Sequence, residues 1–245
     1  MARFCVIIPA AGKAERFGGG EKKSFAKLDG RPVFLRTIEH FINRQDVCQK
    51  ILAVAPEDIA TVKSTYGANL GFMGIKLVEG GAQRCDTVAA ALRAVSDEAD
   101  YVAIHDAARP CISPDRIDAV FEEAVKSGAA ILAVPIVGTL KRVAGSNAIE
   151  ETVSRDGLYE AQTPQVFRKD ILMKAYERLD ATARAAATDD AQVVEWSGHA
   201  VTVVPGDSMN IKITTKSDLT LAGAILKARP ARTVPRMGAF EEAQW

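Results

Sequence analysis

The chain has 245 residues and a mass of 26.2 kDa, with 31 Lys+Arg against 31 Asp+Glu and a pI near 6.8. That length suits one large α/β domain or two small ones, and the zero net charge excludes a general nucleic-acid binder, which needs a basic excess to meet phosphates. An apolar content of 48% excludes wholesale disorder, and no apolar run reaches the ~20 residues of a membrane span, the best, Ala129 to Leu140, being broken by Pro135 and Gly138.

From the amino end, Arg3 to Ile8 reads as a buried strand; it is too short for a signal peptide, and Lys13 and Glu15 follow at once. A loop holding Gly12, Gly18, Gly19 and Gly20 comes next. Pro32 opens a helix at its first position, with Phe34, Ile38, Phe41 and Ile42 on one face. Ile51 to Ala55 is a short strand closed by Pro56, a second helix runs to about Tyr66, and Ile75 to Val78 is strand-like. Beyond Gly80-Gly81, Val88, Leu92 and Val95 recur at helical spacing. Tyr101 to His105 is a strand. Ser113-Pro114-Asp115 then starts a helix carrying Ile117, Val120, Phe121 and Ala124, which Gly128 stops before another buried strand, Ala130 to Ile136. Continuous apolar strands alternating with amphipathic helices predict a parallel sheet covered on both faces.

Residues 137 to 167 break this rhythm. Thr139 to Val143 and Thr152 to Ser154 read as two strands of an extension, with turns at Gly145-Ser146-Asn147 and Asp156-Gly157. A lid, a dimer arm and an ordinary edge hairpin all suit that pattern. Helix, strand and helix resume over Lys169 to Leu179, Val201 to Val204 and Ser217 to Lys227. From Arg229 periodicity is lost, so 1–228 reads as the folded domain and 229–245 as a tail or linker. Cys5, Cys48, Cys85 and Cys111 contain no C-x-x-C, and His40, His105 and His199 are scattered. Neither zinc nor a disulfide framework is expected, and a reducing cytoplasm is the expected compartment.

Ligands of parallel sheets bind beyond the carboxyl ends of the strands. Four segments fall at such positions. The loop after the first strand, from Pro9-Ala10-Ala11-Gly12 to Lys23-Ser24-Phe25, matches neither G-x-G-x-x-G nor a P-loop. From Lys13 to Arg31 it holds six cations against three anions, suited to a nucleoside triphosphate, although a solvated charged loop has the same composition. Gly80-Gly81…Arg84…Thr87 turns from strand into helix with amide groups free to meet a base or ribose. In His105-Asp106-Ala107-Ala108-Arg109-Pro110, Asp106 is a hard oxygen ligand suited to Mg²⁺ and Arg109 a phosphate partner. Asn210-Ile211-Lys212-Ile213-Thr214 reads as a late strand whose Lys212, flanked by apolar residues, calls for an anion or a route to the edge.

Taken in order with Arg16, Arg155-Asp156-Gly157-Leu158, Thr163-Pro164-Gln165 and Thr188-Asp189-Asp190, these segments resemble the 2-C-methyl-D-erythritol 4-phosphate cytidylyltransferases of the non-mevalonate isoprenoid pathway, over about Arg3 to Lys227. The resemblance implies a doubly wound, mostly parallel α/β sheet, a Rossmann-like nucleotidyltransferase with a protruding β-arm at about 137–157. It implies transfer of CMP from CTP to methylerythritol phosphate with release of pyrophosphate, supported by Mg²⁺ or another divalent cation. By the same resemblance, Arg16 and Lys23 stabilise the transition state, and Arg155 and Lys212 position the attacking phosphate. Of the adjacent Lys22 and Lys23, Lys23 is chosen for its spacing to Phe25. Ala10, Ala11, Gly12, Gly81 and Thr87 contact the nucleotide, Asp106 the metal, and Arg109, Thr139 and Thr188 the acceptor. The arm implies a homodimer in which Arg155 works in the neighbour's site. A cytidylyltransferase for another polyol phosphate, such as ribitol 5-phosphate, is the alternative.

Overall fold

A computed structural model of the chain describes residues 1–12, 17 and 22–229. Arg16 and the tail beyond Arg229 lie outside the described residues. In chain order the elements are β1 (Phe4–Pro9), β2 (Lys27–Leu28), β3 (Arg31–Pro32), α1 (Val33–Ile42), β4 (Val47–Val54), α2 (Ile59–Phe72), β5 (Ile75–Glu79), α3 (Arg84–Leu92), β6 (Tyr101–Ile104), α4 (Pro114–Ser127) and β7 (Ala129–Pro135). Then come β8 (Leu140–Val143), β9 (Ile149–Val153), β10 (Tyr159–Arg168), α5 (Lys169–Glu177), α6 (Ala181–Ala186), α7 (Asp190–Trp196), β11 (Thr202–Pro205) and α8 (Lys216–Ala228).

Seven strands form the main sheet in the order β11-β7-β10-β6-β1-β4-β5. β1 is parallel to β4 and β6, β4 to β5, and β7 to β11, while β10 runs antiparallel to both its neighbours. The strands are apolar on both faces because both are covered. Phe4, Val6 and Ile8 pack with α1 and α4 residues such as Phe34, Ile38 and Phe121, while Cys5 and Ile7 pack with Val88, Leu92 and Leu172 on the opposite side. From β1 the chain steps to β4 and β5 on one side, then returns to β6 on the other. The connections leaving β1 and β6 therefore diverge and open a crevice above their carboxyl ends.

A third apolar cluster lies apart from these two. Phe17, Leu28, Val33, Ala108, Ile213 and Ala222 of α8 form it, tying the first loop, the segment after β6 and the segment around Lys212 to one helix. The arm is an antiparallel hairpin of β8 and β9, as the turn signals predict, with Asn147 at φ 64° beside its tip.

Several readings need correction. β10 is a central strand that the sequence reading left unassigned, because it buries Gln162, Thr163 and Gln165 and carries Pro164, features foreign to a core strand. Its register slips between Ala161 and Gln165, which accommodates the proline. Asn210 to Thr214 is irregular chain, not a strand, so Lys212 does not sit on a sheet. The second helix runs past Tyr66 to Phe72, through Gly67 and Gly71, and Val95 lies beyond the end of α3. The alanine-rich stretch after Leu179 forms α6, capped by the Asp180 carboxylate accepting from the Ala183 amide at 2.7 Å.

Candidate active site

The crevice holds a cavity walled by Ala10, Ala11 and Gly12 after β1, Lys23, the start of α3, Asp106 after β6, and Lys212. The chain leaves β1 with the Ala10 amide bonded to the Ala53 carbonyl at 2.7 Å, which aims the following small residues along the cavity wall. On the opposite side the Gly80-Gly81 turn must be glycine. A β-carbon on Gly81 would lie 2.4 Å from the Asp86 β-carbon, and one on Gly80 would lie 2.9 Å from the Thr87 side chain. Thr87 locks the turn: its hydroxyl accepts from the Gly81 amide at 3.2 Å and donates to the Gln83 carbonyl at 3.0 Å.

Asp106 is the electrostatic centre. Lys212 Nζ stands 2.7 Å from its Oδ2, Arg109 Nε 3.6 Å from the same oxygen, and Arg84 Nη2 3.8 Å from Oδ1. Burial alone would raise the carboxyl pKa, but Lys212, Arg84 and Arg109 overcome it and hold the group well below the usual carboxylate range. Asp106 is thus ionised and shared among three cations.

The backbone that presents Asp106 is fixed by neutral hydrogen bonds. The Thr163 hydroxyl accepts from the Asp106 amide at 3.0 Å and lies 2.9 Å from His105 Nδ1, while His105 Nε2 lies 3.1 Å from the Arg109 carbonyl. One arrangement satisfies all three: Thr163 donates to Nδ1, and Nε2–H donates to Arg109. The imidazole must then be neutral, and burial pushes it down to about 3. Asn210 performs the same task for the opposite wall. It is fully buried, its side-chain amide donates to the Thr163 carbonyl at 2.9 Å and to Gln162 Oε1 at 3.3 Å, and its backbone carbonyl accepts from Arg109 Nη1 at 2.7 Å. Lys212 follows two residues later, so its position is set by this clamp.

A pH dependence of stability follows. The unfolded chain binds a proton at residue 105 below about pH 6.5, whereas the folded chain does not until near pH 3. Stability is therefore full above pH 6.5 and falls as the pH drops, by roughly 1.4 kcal/mol per unit for this group, or about 2 kcal/mol between pH 6.5 and 5. His40, whose pKa burial also lowers, adds in the same direction. Urea unfolding at pH 7 and pH 5 should show this loss, and His105→Gln should remove the larger part of it.

Among the candidate residues, the structure brings Ala10, Ala11, Gly12, Lys23, Thr87, Asp106 and Lys212 to one cavity, with Gly81 hydrogen-bonded to Thr87 behind it. Lys22 instead pairs with Asp58 at 2.6 Å and Glu57 at 2.9 Å. Arg109 and Lys212 border a second cavity with Gln162, Asn210 and the arm's base at Val137 and Gly138. Lys212 is common to both. Thr139, Arg155 and Thr188 line neither cavity. Thr139 and Arg155 are exposed on the arm, where Arg155 Nη1 donates to the Val137 carbonyl, and Thr188 bonds the Gln192 side chain. Arg84, Gln162 and Asn210 were not read as site residues; each sits among other polar residues such as Gln83 and Asp86, Thr163 and Gln165, or Ser208 and Lys212, so nothing in its segment singles it out. Asp106 is the one candidate metal ligand placed in the cavity, and among the described residues no three His, Cys, Asp or Glu side chains gather to hold an ion.

The arrangement, two adjoining cavities with cations between them, suits two phosphorylated substrates meeting at one phosphorus. The family model for IspD, 2-C-methyl-D-erythritol 4-phosphate cytidylyltransferase, matches residues 4–228. The chain is 44% identical to the 2-C-methyl-D-erythritol 4-phosphate cytidylyltransferase of Rhodopirellula baltica, across 92% of this chain and 95% of that protein. It is 41% identical to that of Bacillus licheniformis, across 91% and 95%. Crystal structures of the enzymes from Francisella tularensis and Thermus thermophilus superpose with TM-scores of 0.77 and 0.74 at 32% and 33% identity, covering 91% and 93% of this chain and all of theirs.

Proposed function

Because the chain belongs to the 2-C-methyl-D-erythritol 4-phosphate cytidylyltransferase family, we propose that its two cavities are the nucleotide and acceptor halves of one active site, with Lys212 at their boundary. The enzyme transfers CMP from CTP to methylerythritol phosphate and releases pyrophosphate, in isoprenoid precursor synthesis by the non-mevalonate route. The observation that carries the reading is the shared wall: Lys212 borders both cavities and is held at 2.7 Å by Asp106.

An oxygen of the acceptor phosphate attacks the α-phosphorus of CTP, a new P–O bond forms, and the bond to pyrophosphate breaks. A phosphate monoester is already a nucleophile at neutral pH, so no side chain need remove a proton. Catalysis then rests on alignment and on cations facing the charge that builds at phosphorus. Lys23 meets the nucleotide phosphates, joined in this assignment by Arg16. Lys212 and Arg109 draw the acceptor phosphate to the boundary, while Gly81 and Thr87 shape the cytidine side.

A divalent cation fits this donor set. Mg²⁺ beside substrate phosphates takes one or two carboxylates and completes its shell with phosphate oxygens and water, and Asp106 is one such carboxylate on the cavity wall. When bound there, the ion would neutralise triphosphate oxygens. Asp106, the carboxylate that holds Lys212 at 2.7 Å, would be the residue that holds the ion.

The arm supports a homodimer. Val137, Val143, Ile149, Leu158 and Tyr159 are all exposed along it and at its base, an apolar surface that an isolated protomer leaves in water. A neighbour covering that surface would bring Thr139 and Arg155 of one protomer to the acceptor cavity of the other. Lys23→Ala and Arg155→Ala proteins, each inactive alone, should then recover up to about a quarter of wild-type activity per site when mixed, because a hybrid dimer keeps one intact site. No recovery despite subunit exchange, followed by native mass spectrometry, would show a site complete in one chain. The free thiols of all four cysteines support a reducing compartment, the cytoplasm.

Pyrophosphate release with CTP and a panel of acceptor phosphates tests the reaction itself. Turnover should require methylerythritol phosphate. Turnover with ribitol 5-phosphate and none with methylerythritol phosphate would overturn the acceptor assignment.

A further inference from the structure

Asp190 opens α7 and is fully buried. Its Oδ2 accepts from Arg84 Nη2 at 2.6 Å and its Oδ1 from the Tyr176 hydroxyl at 2.6 Å. The helix start that carries it is bolted to β10. Gln165 Oε1 accepts from the amides of Asp190 and Ala191, both at 3.0 Å, and Gln165 Nε2 donates to Asp189 Oδ2 at 2.8 Å. Asp189 in turn caps α7 by accepting from the Gln192 amide at 2.9 Å.

Arg84, on the first turn of α3, therefore faces two carboxylates. The same nitrogen that bonds Asp190 at 2.6 Å stands 3.8 Å from Asp106 Oδ1. Asp106 already holds Lys212. A guanidinium is a planar fork suited to taking both oxygens of a carboxylate, whereas an ammonium is a single point charge. Released from Asp190, Arg84 has one carboxylate left within 4 Å among the described residues, Asp106, and a fork that took both of its oxygens would displace Lys212 from Oδ2.

We propose that Asp190 is a positioning residue, a tether that draws Arg84 off Asp106 so that Asp106 remains the partner of Lys212 at the boundary between the cavities. Tyr176 and Gln165 hold the tether in place. The inference rests on the reading of Lys212 given above, and it assigns work to a residue that lines neither cavity.

The test uses Asp190→Asn, Arg84→Gln and the double variant, with kcat/KM for methylerythritol phosphate at saturating CTP, thermal unfolding, and a crystal structure of Asp190→Asn. The single Asp190→Asn change should lower kcat/KM by roughly tenfold or more, and adding Arg84→Gln should restore it to within about threefold of Arg84→Gln alone, the non-additivity of residues acting through one contact. In the crystal Arg84 should lie within hydrogen-bond reach of Asp106. A purely structural role would make the double variant no more active than Asp190→Asn; that outcome, or an Arg84 that stays away from Asp106, overturns the proposal. Should Asp190→Asn not fold, the double variant and Arg84→Gln decide between them: a further tenfold loss in the double refutes the tether, and near-equality supports it. Absence of turnover in the wild-type chain would instead defeat the functional reading, while the crystal structure would still test the tether.

Discussion

Lys23→Ala is expected to lower kcat by roughly 10²-fold or more, while Lys22→Ala changes it less than about threefold. The two lysines are adjacent, yet the chain turns between them. Lys22 points to the start of α2, where Asp58 and Glu57 take its ammonium, and Lys23 lines the cavity beside Gly12 and Ser24. A partly exposed ion pair contributes little either to stability or to a reaction elsewhere. A preorganised cation facing the leaving phosphates acts only as charge builds there, so its loss should appear in kcat with a small change in the KM for CTP. Steady-state pyrophosphate release for both variants checks it. A large effect of Lys22→Ala with an active Lys23→Ala enzyme would move the transition-state contact by one residue and break the assignment of the first loop.

How much of this was legible in the sequence depends on what each segment buries. β1, β4, β6 and β7 announce themselves because a strand covered on both faces must be apolar throughout, as in Val6-Ile7-Ile8 or Ile51-Leu52-Ala53. β10 does not, because the inward side chains at Gln162, Thr163 and Gln165 hold up Asn210, the Asp106 amide and α7 respectively. A strand recruited to brace a site loses the pattern by which strands are recognised. The site divides the same way. Asp106 and the Pro9–Gly12 run were visible because a strand end fixes where they must lie. Lys212 was visible for an unsound reason, since its segment is not a strand and the clamp at Asn210 is what places it. Arg84 was quoted within a motif without a role, for its partner Asp190 lies 106 residues away and only the fold brings them together. Thr139 and Arg155 were reached by resemblance alone, and the geometry of one protomer leaves them outside both cavities.

Asp106→Asn should separate binding from turnover in opposite directions. The carboxylate is the one anion that Lys212, Arg109 and Arg84 share. Its removal takes a negative charge from a cavity meant for phosphates, so CTP or pyrophosphate should bind more tightly in EDTA, by about 1–2 kcal/mol, or roughly 5- to 30-fold, the Coulomb energy of one charge a few ångströms away in a partly wet site. Turnover should fall nonetheless. Lys212 loses the group that holds it at the boundary, and the wall loses its carboxylate donor for a divalent cation, so kcat with saturating Mg²⁺ should drop by roughly 10²-fold or more. Stability should fall too, by about 3 kcal/mol, because Arg109 is buried and Asp106 is the one carboxylate within salt-bridge distance of it among the described residues. Isothermal titration without metal, steady-state kinetics with it, and urea unfolding read the three effects separately. Weaker nucleotide binding in EDTA would mean that Asp106 organises the cations for the triphosphate more than it repels it, and the division of labour assigned to Lys212 would then have to be redrawn around that carboxylate.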